Sequence, residues 1–110
     1  MSYKVNSTPP FEKQTKKLLK NYPTLKNDLY LLIKSLELNP IQGNSLGNDF
    51  YKIRVAISGK AKGKSGGARV IISVKITKKT DYLAAIFDKS EQENITDKEL
   101  KWLAEIIGKM

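Results

Sequence analysis

The 110-residue chain predicts an α+β fold in a single small domain, with element order β-α-α-β-β-β-α. Three observations carry this. Apolar residues recur at helical spacing over residues 11–22 and again over 25–36. Two segments, "FYKIRVAI" and "RVIISVKI", alternate apolar and polar residues in mirror-image patterns. A third apolar run, "YLAAIF" at 82–87, has no polar face. Consecutive strands joined by loops make a mainly antiparallel sheet, with the helices packed largely on one face. The length suffices for one domain spanning residues 1–110 and is too short for two of ordinary size.

Each element has a local reason. In "SYKVNS" Tyr3 and Val5 alternate with polar neighbours and predict a short strand. "TPP" stops it, and Pro9 or Pro10 opens a helix, because a first-turn residue needs no amide donor. Phe11, Leu18, Leu19 and Tyr22 form that helix's apolar side, while Lys13, Lys16, Lys17 and Lys20 cover the rest. Pro23 ends it and Thr24 is placed to cap a second helix, carrying Leu25, Leu29, Leu32, Ile33 and Leu36 until "NP" at 39–40. "QGNSLGND" reads as a loop. In the next strand Tyr51, Ile53, Val55 and Ile57 point one way, and Lys52, Arg54 and Ala56 the other. In its partner Val70, Ile72, Val74 and Ile76 share a face opposite Arg69, Ile71, Ser73 and Lys75. "TDKE" at 96–99 is a capping box opening a last helix with Leu100, Leu103, Ile106 and Ile107. The sheet face away from the helices is then open, and alternation puts Lys52, Arg54 and Arg69 on it together.

Charge is concentrated rather than spread. The net charge is +9, and residues 51–79 hold nine cations and no acid. Such a segment predicts a polyanionic partner. There is no histidine and no cysteine, so the usual zinc ligands, thiol catalysis and a near-neutral imidazole base are excluded. Neither metal nor cofactor is expected. The absence of cysteine fits a reducing compartment, and with no export or membrane-spanning segment visible the expectation is a soluble cytoplasmic protein.

The stretch "GKAKGKSGGAR" at 59–69 looks at first like a phosphate-binding loop. A nucleotide-binding P-loop needs four residues between its glycine and "GK[ST]", whereas "GKAKGKS" has three. A strand follows where a helix is required. The better reading is a basic loop beside a basic sheet, in which Lys60, Lys62 and Lys64 follow a nucleic-acid backbone, with Lys13, Lys16, Lys17 and Lys20 of the first helix as further candidate RNA contacts, and Gly66 and Gly67 let the chain turn back.

"YKIRVAISGKAKGKSGGARVIISV", then "YLAAIFDKSE" and a terminal helix, resembles the RelE/HigB toxins of bacterial type II toxin–antitoxin modules. The resemblance runs over about residues 10–107 in element order, with its specific motifs in 51–91. It implies a ribosome-dependent endoribonuclease that cuts mRNA in the ribosomal A site by 2′-hydroxyl attack without a metal. The implied partners are mRNA, the ribosome and a cognate antitoxin. By position, Lys52 and Arg54 match the family's paired strand cations, Arg69 the arginine facing the scissile phosphate, and Lys89 the lysine of a following turn. The chain departs from some relatives at three places: Ser90 where they carry an arginine proposed as general acid, Thr96 near their stacking tyrosine, and Phe87 where HigB-like members often have tyrosine. Two other functions fit the same resemblance, a ParE-like poison of DNA gyrase and a non-catalytic RNA-binding protein.

Overall fold

The computed structural model describes residues 2–58 and 67–110. Their elements are β1 (Lys4–Ser7), α1 (Pro9–Asn21), α2 (Leu25–Leu38), β2 (Asn44–Gly47), β3 (Phe50–Val55), β4 (Ala68–Lys75), a 3-10 turn (Ile76–Lys78), β5 (Thr80–Asp88) and α3 (Asp97–Gly108). They form one five-stranded sheet in the order β1-β5-β4-β3-β2. Every pairing is antiparallel except β1 with β5, which is parallel. No helix among the described residues is long and apolar enough to cross a membrane.

The alternation in β3 and β4 builds the main core. Ile53, Val55, Val70, Ile72 and Val74 meet Phe11 and Leu18 of α1 and Leu25, Leu29 and Leu36 of α2. Each fully buried aliphatic side chain of this kind stabilises the fold by about 1.5–3 kcal/mol. Ile76 breaks the expected series: it lies in the 3-10 turn and is exposed.

The opposite face is not open, which corrects the sequence expectation. α3 crosses it, and Leu103 and Ile107 join Phe50, Ile71, Ala84, Ala85, Phe87 and Ile95 in a second core. β5 therefore runs between two apolar layers and is buried along its whole length, as its lack of a polar face predicts.

Two further differences are local. "NSLG" is a strand rather than loop, pairing Asn44 with Lys52 and Ser45 with Tyr51. Thr8 does more than precede the prolines. Its hydroxyl donates to the Leu83 carbonyl at 2.9 Å, lies 3.2 Å from that of Ala84, and accepts from the Phe11 amide at 3.4 Å. One buried side chain thus caps α1 and serves the irregular point of β5, where the β4–β5 register shifts after Ile71. The Thr96–Glu99 capping box forms as its spacing requires, whereas Thr24 sits at the N-cap of α2 without a side-chain bond.

Candidate nucleic-acid interface

Residues directly opposite in an antiparallel ladder share a face. Arg54 pairs with Arg69, which pairs in turn with Phe87, so the three form one row across the sheet on the α3 side. The adjacent row is Asn44, Lys52, Ile71 and Ala85. The structure thus brings Lys52, Arg54 and Arg69 onto one face, at the end that α3 leaves to the cations.

Their environments differ. Arg54 is exposed, whereas Arg69 is only 3% exposed and its Nη1 donates to the Ala68 carbonyl at 3.3 Å. Burial, and then the neighbouring Arg54 charge, lower the Arg69 pKa from the ordinary arginine value. Two like charges side by side at the edge of a core are unfavourable. An anion between them reverses the sign of that interaction. Lys52 is half-buried, and its Nζ donates to Asn94 Oδ1 at 3.4 Å.

Lys89 reaches the same corner by a different route. Its amide donates to the Gly67 carbonyl at 3.1 Å, tying the segment after β5 to the start of β4. The turn is closed by Asp88, whose Oδ1 accepts from the Ser90 amide at 3.0 Å and the Ser90 hydroxyl at 2.8 Å. Its carbonyl accepts from the Glu91 and Gln92 amides at 3.0 Å each. Ser90, where some relatives carry arginine, is therefore a turn-forming residue here. Thr96 is likewise engaged, its hydroxyl 3.1 Å from both the Glu99 amide and Glu99 Oε1. Phe87 packs its ring into the second core beside Arg69. Gly67 has a steric role: a Cβ there would stand 2.2 Å from the Val55 carbonyl oxygen. Lys60, Lys62, Lys64 and Gly66 lie outside the described residues.

The helix lysines are not part of the row. α1 packs on the other side of the sheet, so Lys13, Lys16, Lys17 and Lys20 are separated from Lys52 and Arg54 by the strands. Lys16 lines a groove between α1 and α2 with Leu19, Lys26 and Tyr30. Lys17 lines a small cleft at the β5 edge with Phe87, Asp88 and Glu91, near the Lys89 turn. Asn94, which holds Lys52, carried no signal in the sequence, because the contact spans 42 positions and depends on where α3 docks.

The fold just described has solved counterparts. A double arginine-to-alanine mutant of the E. coli RelE toxin in the free state superimposes with a TM-score of 0.59 at 19% identity, covering 84% of this chain and 90% of that one. The isolated E. coli RelE toxin gives 0.51 at 17% identity, over 96% and 99%. Comparison with curated protein sequences gives no match. These likenesses define the class as a RelE-like α+β fold.

The model of the RelE toxin of the RelE/RelB toxin–antitoxin system matches residues 5–110, and the chain belongs to that family. Membership makes it a toxin of a toxin–antitoxin system and implies an antitoxin partner.

Proposed function

We propose that this toxin is a ribosome-dependent endoribonuclease that cuts mRNA in the A site by attack of a 2′-hydroxyl on the adjoining phosphate, without a metal ion. The observation that carries the reading is the cross-strand pair of Arg54 and Arg69, with Lys52 in the next row of the same face. In the reaction the 2′-hydroxyl loses its proton to solvent as its oxygen bonds to phosphorus, and the bond to the 5′-oxygen breaks as that oxygen takes up a proton, leaving a 2′,3′-cyclic phosphate and a 5′-hydroxyl. Negative charge builds on the equatorial phosphorane oxygens between these events. A buried guanidinium with fixed donors stabilises that charge better than a mobile ammonium does. Arg69 has that role and Arg54 shares it from the solvent side. Lys52, held by Asn94, and Lys89, placed by the Gly67 carbonyl, are the donors available to the attacking and leaving oxygens. With no histidine in the chain and Ser90 committed to its turn, protonation of the leaving oxygen falls to one of these two lysines.

Mapping 5′ ends on a ribosome-bound message tests this directly. New ends inside the A-site codon are expected, and a message left intact while translation continues would refute the reading. Pulse labelling after induction should show translation stopping before DNA synthesis, the reverse order marking a gyrase poison. The +9 charge also sets the chemistry of the antitoxin, whose neutralising segment should be acidic.

Binding should weaken steeply with salt. Each phosphate contact contributes roughly 0.7–0.9 to the slope of log affinity against log salt. Replacing Lys60, Lys62 and Lys64 together by alanine should flatten that slope in a ribosome-binding titration. An unchanged slope removes the 59–66 segment from the interface.

A further inference from the structure

β3 runs on past β2. Their pairing ends at Asn44 opposite Lys52, so beyond it the outer edge of β3, from Ile53 to Val55, has no partner strand among the described residues. The chain turns off the sheet at Gly43, which has φ +88° and passes so close that a Cβ would stand 2.3 Å from the Lys52 carbonyl oxygen. Only glycine fits there. The detour leaves a cleft of about 500 Å³ lined by Gln42, Gly43, Asn44, Lys52, Ile53 and Arg54. Two of its six lining residues, Lys52 and Arg54, are cations of the face described above.

The two carboxamides in this cleft are in different states. Gln42 is committed, its Nε2 donating to Ser35 Oγ at 2.9 Å and to the Asn39 carbonyl at 2.8 Å. Asn44 is exposed, shares the face of Lys52, and its carboxamide makes no hydrogen bond with any described residue. A free carboxamide presents one donor edge and one acceptor edge side by side. Adenine offers the complementary pair in its N6 amino group and N7, whereas guanine presents two acceptors at that edge. Single-stranded RNA is read in this way, by splayed bases offering their edges to side chains.

We propose that the cleft is a nucleobase subsite in which Asn44 reads adenine, on a nucleotide whose phosphate is held by Lys52 and Arg54. The assignment rests on the RNA reading of the cation row and adds base selectivity to it. The unpaired edge of β3 supplies further backbone donors and acceptors to the same base.

The test measures binding of the full chain to fluorescent homopolymeric A, C, G and U oligoribonucleotides of equal length, at one salt concentration. A bidentate contact discriminates by about fivefold or more, so the wild-type chain should prefer the A oligomer by that factor. Asn44→Ala should lose the preference while keeping the affinity for the U oligomer and its salt slope, since no cation is touched. Asn44→Asp, which only accepts, should shift preference toward cytosine, whose N4 amino group donates. Asn44 is exposed on an edge strand, so both variants should fold normally, as a thermal melt checks. Equal binding of all four oligomers by the wild type, or an adenine preference surviving in Asn44→Ala, overturns the subsite and leaves the RNA reading standing. A wild-type chain that binds none of them also overturns the subsite, while the RNA reading is decided separately by the 5′-end mapping on a ribosome-bound message.

Discussion

Replacing Arg69 by alanine should slow single-turnover cleavage of a ribosome-bound message by about 10²- to 10³-fold, or roughly 3–4 kcal/mol, the usual cost of losing one fixed donor to a developing oxyanion. Binding to the ribosome should fall much less, because Lys52, Arg54, Lys89 and the other cations remain. The asymmetry follows from burial. Arg69 is 3% exposed and its guanidinium is held against the Ala68 carbonyl, so its donors are already oriented when the phosphorane forms. Arg54 across the ladder is exposed and has that orientation only in part. Arg69→Lys should restore only a fraction of the rate, since an ammonium cannot span two phosphate oxygens. A thermal melt separates catalysis from folding. A folded Arg69→Ala protein that cuts at the wild-type rate would remove this row from the active site.

The second large effect concerns stability, on the other side of the sheet. Asp81 pairs with Val5 and Val74, and so faces the main core that those valines enter. It is fully buried, and neither carboxylate oxygen has a hydrogen-bond partner. Lys4 and Lys75 are nearest in register, but both pair with Thr80 and point to the opposite face. Burial alone raises the Asp81 pKa to about 7. The folded state therefore holds this proton more tightly than the unfolded chain does. The associated stability is complete at pH values below the ordinary carboxyl range and is lost as the pH climbs through about 7. At about 1.4 kcal/mol per unit, the loss approaches about 4 kcal/mol at most. Asp81→Asn carries no such proton. In chemical denaturation its advantage over the wild type should grow by about 3 kcal/mol between mildly acidic and mildly alkaline pH. A constant difference across that range would show that the carboxylate is not isolated in the folded protein.

Much of this architecture is written in short stretches of chain. The helical spacing of Phe11 and Leu18, and of Leu25, Leu29 and Leu36, marks two helices whose buried residues are those same side chains. Thr96 and Glu99 satisfy one another's backbone amides three positions apart, so α3 begins where the sequence says it should. Alternation puts Lys52, Arg54 and Arg69 on a common face whatever that face later meets, because the side-chain period of a strand is two. The features that were not legible depend on partners distant in sequence. β2 has four residues and no apolar alternation, and is a strand only because β3 pairs with it. Asn94 reaches Lys52 across 42 positions, and Thr8 reaches β5 across 75.

Residue order alone thus settles the three helices and the strands with apolar patterning, though not β2, and also which side chains of a strand travel together and that the positive charge gathers in residues 51–79. Backbone sterics, capping and periodicity act within a few residues, and a linear reading can follow them. Burial cannot be followed that way. The sheet has two faces, and both α1 with α2 and α3 have apolar stripes to cover. Which helix takes which face is decided by packing all the elements at once. When α3 takes the second face, Arg69 becomes a buried guanidinium, Lys52 acquires Asn94, and the cations gather at one end of that face.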